Sequence, residues 1–262
     1  MKIATWNVNS IRTRLSHVTD WLKQNPIDLL CVQETKVIDE LFPHAAIAEV
    51  GYYAYAFGQK SYNGVALISR SPLQKVDMGF SAILPAETVG DLDDQKRVIS
   101  TVLNGVRIVD LYVPNGSAVG SEKYEYKLRW LKVLREYLQV LLQESPSLLV
   151  CGDFNIALED IDIHNSKGRE KQVMATDVER EALRHVLELG LSDAFRKFTI
   201  EGGHYSWWDY RSAGFRRNAG WRIDHHYLTP DLYDRAVGCV IDRAPRELEQ
   251  PSDHTPVIVE LA

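Results

Sequence analysis

A chain of 262 residues with 45% hydrophobic and 25% charged side chains has enough apolar content for a sizeable core, which excludes intrinsic disorder. With 30 Lys and Arg against 36 Asp and Glu the net charge is −6, so bulk charge does not hold this protein to nucleic acid, and any polyanion must meet a local patch. No run approaches the roughly 20 apolar residues of a membrane helix, and Met1-Lys2 leads straight into Ile3-Ala4-Thr5-Trp6 without a signal region, so a cytoplasmic protein is expected.

In chain order, short runs rich in Ile, Val, Leu and aromatics predict strands at residues 2–6, 28–33, 51–57, 64–69, 97–103, 106–112, 147–151, 222–228 and 255–261. Helical spacing places Ile11, Leu15, Val18, Trp21 and Leu22 on one face, ending before Pro26. Tyr124, Leu128, Leu131, Leu134, Leu138 and Leu141 do the same over a longer stretch ending before Pro146. A third helix is expected over 177–188, stopped by Gly190. The polar stretch 160–173 reads as a long surface loop.

Many strands interleaved with few helices predict two packed sheets with helices outside. Strand, helix, strand occurs at 2–34 and again at 106–153, each second strand ending in a carboxylate, so two similar halves are expected to face each other. No linker composition separates them, and one domain over 1–262 is expected. Cys31, Cys151 and Cys239 are odd in number, far apart and set in apolar runs, which predicts buried free thiols and a reducing compartment.

The chemistry sits where apolar strands stop: Asn7, Glu34, Asp153, Asn155, Asp224, and the pair Asp253-His254. A carboxylate on a rigid strand end is fixed for metal binding or proton transfer without the cost of ordering a loop. Singly, each has a structural reading. An Asp or Asn past a strand commonly makes an Asx turn, Glu34 could pair with Lys36 at a surface, and His254 could cap a helix. The combination in one chain is what points to a site.

Six strings carry a resemblance in register: Thr5-Trp6-Asn7-Val8-Asn9-Ser10-Ile11-Arg12, Gln33-Glu34-Thr35-Lys36, Tyr112-Val113-Pro114-Asn115-Gly116, Gly152-Asp153-Phe154-Asn155, Trp221-Arg222-Ile223-Asp224 and Ser252-Asp253-His254. From residue 2 to 260 the chain resembles the exonuclease III type of apurinic/apyrimidinic endonuclease, within the endonuclease/exonuclease/phosphatase superfamily. That resemblance implies an α/β fold, a four-layered α/β sandwich with two central mixed β-sheets flanked by helices, and the active site at one edge of the sheets. It also implies hydrolysis of a phosphodiester by a divalent cation and an activated water. Mg²⁺, with Mn²⁺ as a substitute, would be held by hard oxygen donors: Glu34 first, with Asn7 and Asp253 close by.

By the same resemblance Asp153 would deprotonate the attacking water, held by Asn155, both aimed by strand alternation. His254 would stabilise phosphate oxygens, oriented by Asp224, and Tyr112 would donate its phenolic hydrogen bond to the phosphate. A competing assignment makes His254 with Asp224 the base and Asp153 the acid for the leaving group. Both stay open in the sequence.

Trp207, Trp221 and Ile223 would wall a small apolar pocket for the flipped, baseless deoxyribose, whereas Trp208 and Tyr210 read as core. Backbone grip would come from Arg211, Arg216, Arg217 and Arg222, with Tyr62 in the loop 60–64 at the minor groove. Asn115, Asn165, Lys167 and Lys123 are further candidates. The segment 116–120 is small and uncharged where some members insert a basic residue into DNA, and Arg211 would partly compensate. The expected partner is duplex DNA with abasic sites or blocked 3′ ends, bound by a monomer that needs no protein partner. Two other readings remain: a superfamily phosphatase acting on small or lipid phosphates, and a DNA-binding module on an inactive scaffold.

Overall fold

The computed structural model describes residues 1–262, the side chain of Ser212 excepted. Its strands are β1 (Lys2–Asn7), β2 (Leu29–Gln33), β3 (Tyr53–Phe57), β4 (Val65–Ser69), β5 (Val76–Met78), β6 (Val98–Leu103), β7 (Val106–Tyr112), β8 (Leu148–Asp153), β9 (Ser192–Asp193), β10 (Asp224–Leu228), β11 (Ala236–Ile241) and β12 (Val257–Leu261). Its helices are α1 (Leu15–Gln24), α2 (His44–Glu49), α3 (Ala86–Val89), α4 (Glu122–Glu144), α5 (Asp177–Leu187), α6 (Ala194–Phe198) and α7 (Pro230–Arg235). All nine predicted strands and three predicted helices are present with shifted ends. The strand expected from residue 222 starts at Asp224, that from 255 starts at Val257, and the first helix starts at Leu15 rather than at Ile11, which is buried in the preceding turn.

The strands form two mixed six-stranded sheets, ordered β11-β12-β1-β2-β4-β3 and β5-β6-β7-β8-β10-β9. Each has one parallel pair, β1 with β2 and β7 with β8, joined by α1 and α4 respectively, so the repeated strand-helix-strand unit is real. Such a parallel pair needs a crossover connection, which a helix supplies. The pleat then sorts the side chains. Ile3, Leu29, Cys31 and Leu67 face Ile108, Leu149, Cys151 and Leu228 between the sheets. Ala4, Trp6, Leu30 and Val32 face outward under Val18, Trp21 and Leu22 of α1. On the far side Val109, Leu111 and Val150 lie under Trp130, Leu134 and Leu138 of α4 and Leu183 of α5. The result is helix, sheet, sheet, helix: the four-layered sandwich.

Local chemistry agrees with these layers. Ser121 caps α4 by accepting from the Tyr124 amide at 3.2 Å, and Thr176 with Glu179 forms a capping box at α5. One polar bridge crosses the inter-sheet core: Gln33 Nε2 donates to Thr5 Oγ1 at 2.9 Å and to Asp110 Oδ1 at 2.6 Å, where burial pushes the Asp110 carboxyl well up. The three cysteines are free and buried, as expected. The stretch 160–173 is not wholly a surface loop. It contains the 3-10 turn Asp160–Asp162, and Asp162 and Ile163 are buried against the approach to β10.

Because β1, β2, β7 and β8 run the same way along their pairs while β10 and β12 run against them, the C-terminal ends of the first four and the N-terminal ends of the last two meet at one edge of the sandwich. Asn7, Glu34, Tyr112, Asp153, Asp224 and His254 are all at those ends.

Candidate active site

Asp153 closes β8 directly opposite Asp224, the first residue of β10. Gly152 precedes it with φ +141 and lies so close to β7 that a Cβ there would be 2.0 Å from the Leu111 carbonyl oxygen, so only glycine fits. Asp153 Oδ2 accepts from Asn7 Nδ2 at 2.9 Å and from Asn155 Nδ2 at 3.3 Å, and its Oδ1 accepts the Asn155 amide at 2.9 Å. That last bond is an Asx turn. Asn155 is left-handed, with φ 49, and lies beyond the strand, so strand alternation does not aim it as the sequence suggested. Its Nδ2 also donates to the Val113 carbonyl at 2.9 Å.

His254 donates from Nδ1 to Asp224, at 2.9 Å to Oδ2 and 3.1 Å to Oδ1, and its Nε2 lies 3.7 Å from Asp153 Oδ2. Two hydroxyls fix this pair. Ser206 Oγ accepts from the amides of Ile223 and Asp224 at 3.1 Å each. Ser252 Oγ donates to the Asn7 carbonyl at 2.7 Å and accepts the His254 amide at 3.2 Å. Burial pushes the Asp153 carboxyl up to about 7; the Asp224 charge adds to the rise and His254 opposes it. Burial works against a charge on His254, yet the Asp224 and Asp153 carboxylates hold it up to about 10, so near neutral pH the ring is an imidazolium.

Glu34 follows β2 in a left-handed conformation, φ 54. Its Oε1 accepts the Tyr112 hydroxyl, and its Oε2 lies 2.7 Å from Lys36 Nζ. Burial would raise this carboxyl, but Lys36 and the Tyr112 hydroxyl bring it below the usual range. Tyr112 is pushed well up by burial and by Glu34, so it stays a donor. The Glu34–Lys36 pair therefore exists, but on the edge of the site rather than apart from it.

Asp153, Asp224 and His254 bring three possible ligand atoms within 4.8 Å of one another. These three could hold a cation through Nε2 and the carboxylates; with Nε2 protonated the ring has no lone pair to offer a metal, and the trio is then suited to moving protons. Hard oxygen donors of the kind Mg²⁺ takes are present in the Glu34 carboxylate and in the Asn7 amide oxygen, which accepts the Asn9 amide at 3.0 Å. Asp253 stands further round: Oδ1 accepts from Asn9 Nδ2 at 3.0 Å and Oδ2 from Trp207 Nε1 at 3.0 Å. Asn9 Oδ1 in turn accepts from Lys36 Nζ at 2.5 Å, linking Asp253 to the Glu34 side.

Trp207, Trp221 and Ile223 come together as expected, in an apolar cluster with Ala157, Ile163, Ala175 and Met174. The two indoles meet edge-on at 6.3 Å, and Trp207 also bridges to the His254 backbone, placing the cluster beside the imidazolium. Met174 holds a left-handed φ of 74 and receives Asn115 Nδ2 at its sulfur, 3.4 Å away. Asn115 Nδ2 also donates to Asn155 Oδ1 at 3.0 Å, so Asn115 joins the site.

Two expectations change. Arg222 cannot grip a phosphate: it is buried and held by Asp162 at 2.8 Å and Asp193 at 2.7 Å. Tyr210 is not core but 51% exposed, its hydroxyl donating to the Pro251 carbonyl, whereas Trp208 is buried as expected. Arg211 is exposed and lies 2.6 Å from Asp209, outside the catalytic cluster. Tyr62 is exposed too and lines an open groove of about 570 Å³ together with Asn115, Arg97, Lys123 and Tyr126. Sequence reasoning missed the roles of Asn9, Ser206 and Ser252, although Asn9 and Ser252 lie inside the quoted strings. For Ser252 the available signal was its place beside Asp253, whereas Asn9 and Ser206 have no carboxylate next to them in the sequence.

The chain matches the Endonuclease/Exonuclease/phosphatase family over residues 4–254. It belongs to that family. It is 34% identical over 98% of its length to an exodeoxyribonuclease of Bacillus subtilis, covering 98% of that protein. Among solved structures it is similar to the 3′ phosphatase NExo from Neisseria bound to a product DNA hairpin, with TM-score 0.95, 40% identity and coverage of 100% and 99% of the two chains. An AP endonuclease from Archaeoglobus fulgidus gives TM-score 0.93 and 40% identity, again over 100% and 99%. Within the family, the chain is of the exonuclease III type and is a phosphodiester hydrolase. Among the described residues no helix is long and apolar enough to cross a membrane.

Proposed function

We propose that this protein is a Mg²⁺-dependent DNA repair nuclease, with Mn²⁺ as a possible substitute, that hydrolyses the phosphodiester 5′ to abasic sites in duplex DNA and trims or dephosphorylates 3′ ends. Residues 1–262 act as one catalytic domain of a cytoplasmic monomer. The observation that carries this reading is the buried Asp153 carboxylate, raised toward neutrality and tied to Asn7 and Asn155 while facing an imidazolium.

Glu34 and Asn7, with Asp253 nearby, would hold the cation, which would supply positive charge to offset that on the phosphate and the departing oxygen. Asp153 takes the proton of the attacking water as the water oxygen bonds to phosphorus and the bond from phosphorus to the 3′ oxygen breaks, the 3′ oxygen leaving as an alkoxide that takes its proton from solvent water. Asn155 orients that carboxylate and the water. His254 donates from Nε2 to a non-bridging phosphate oxygen, its charge sustained by Asp224, and Tyr112 turns its hydroxyl from Glu34 to the phosphate. An imidazolium has no lone pair to act as base, which supports Asp153 over the His254-Asp224 pair in that role. Trp207, Trp221 and Ile223 receive the baseless sugar. An apolar cluster at this position disfavours a multiply phosphorylated small molecule.

The test is cleavage of a labelled duplex carrying one abasic-site analogue, with Mg²⁺ or EDTA, beside undamaged duplex and an inositol polyphosphate. A single metal-dependent cut 5′ to the lesion is expected. Phosphate release from the small molecule without a cut would overturn the reading.

A further inference from the structure

Lys127 lies on α4, one turn in from its N-terminus, and its side chain is fully buried. Its ammonium donates to three groups: the Asn155 carbonyl at 2.8 Å, the Asn115 carbonyl at 3.2 Å and Glu179 Oε1 at 2.5 Å. Glu179, equally buried, accepts the Met174 amide at Oε1, 3.1 Å, and the Thr176 amide and hydroxyl at Oε2, 3.1 Å and 2.7 Å. Every polar atom of the pair is thus used. Burial brings the Lys127 ammonium below its usual value, with Glu179 and then Asp153 opposing that fall.

A buried ion pair is no bargain for stability, since apolar side chains of similar volume commonly do as well. What it supplies here is direction. One ammonium fixes the backbone of Asn115 and Asn155, whose side chains touch each other and, through Asn155, Asp153. One carboxylate holds Met174 in its left-handed conformation. The Lys127 stem also underlies Gly116, where an added Cβ would come within 3.3 Å of it.

We propose that Lys127 and Glu179 are positioning residues for the nuclease reaction: a buried strut that sets the Asn115–Asn155–Asp153 chain from behind without touching DNA. This rests on the role given to Asp153 and Asn155 above. The pair acts on turnover, not on substrate affinity.

The decisive variant is Lys127→Met combined with Glu179→Met, which leaves no unpaired charge in the core. Measured with Mg²⁺ on the abasic duplex, kcat is expected to fall at least ~10-fold with KM within ~3-fold, on the scale of a misplaced catalytic group. The side-chain amide NMR signals of Asn115 and Asn155 should shift in the metal-free, DNA-free protein. Wild-type kcat and unmoved amide signals in a folded double variant would overturn the strut. Should the double variant not fold, Glu179→Gln carries the test, with at least ~3-fold loss of kcat expected and an unchanged kcat overturning the proposal. If wild-type protein itself leaves abasic DNA uncut, the nuclease reading fails instead, and the amide signals still report whether the strut exists.

Discussion

The same supersecondary unit occurs twice, and each copy delivers a carboxylate to the same edge, yet the two carboxylates have opposite properties. Glu34, just past β2, is partly open to solvent and sits against Lys36, and its carboxyl is lowered. Asp153, at the end of β8, is 1% exposed and sits opposite the like charge of Asp224, and its carboxyl is raised to about 7. One environment preserves an anion for a cation to bind. The other makes a group that can take up and release a proton near neutral pH. Two carboxylates acquire separate tasks from their neighbours rather than from their own chemistry.

The largest effect should come from removing the proton-handling side. Asp153→Asn and His254→Ala should each lower single-turnover cleavage at least ~10²-fold while changing the Kd for DNA only a few-fold; a fully active, folded Asp153→Asn protein would break the contrast. The desolvation that lifts Asp153 should depress a base in the same sheet. Burial lowers His226 on β10 to about 4, so the unfolded chain binds its proton first as pH falls below 6.5. The His226 contribution to stability should then be present above pH 6.5 and shrink by about 2 kcal/mol between pH 7 and pH 5, read as the change in the difference between urea melts of wild type and His226→Leu at the two pH values.

The cation side should respond differently. Glu34→Gln should raise the Mg²⁺ concentration for half-maximal cleavage by ~10-fold or more, with saturating metal restoring much of the rate; a loss that no metal concentration recovers would assign Glu34 to proton transfer. The smallest effect should be at Arg211, already paired with Asp209. Arg211→Ala should weaken DNA binding about threefold and flatten the plot of log K against log salt by no more than ~0.9, the value for one phosphate.

The layers and the catalytic edge were legible because a polar residue ending an apolar strand breaks a strong pattern, and five such breaks fall at strand ends. The short pieces were not legible. β5 and β9 span three and two residues, too few to show alternation, and β11 carries a bulge between Ala236 and Gly238 with Val237 and Val240 facing solvent. The helices α2, α3, α6 and α7 are six residues or fewer and likewise show no period. Charged residues misled for another reason. Arg222 reads as a surface cation because its partners Asp162 and Asp193 are 60 and 29 positions away, and Lys127 draws no notice in the sequence because its partner Glu179 is 52 away. Composition reports a charge, whereas only the fold reports what neutralises it.

The closeness of Gly152 to the Leu111 carbonyl bears on how this protein could change over time. With no room for even a methyl group, position 152 offers mutation nothing to explore, and the backbone that aims Asp153 is insulated from drift in the core around it. A saturation library should return glycine alone there. Any change of substrate would have to come from the walls of the apolar cluster, at Trp207, Trp221 or Met174, around a fixed centre.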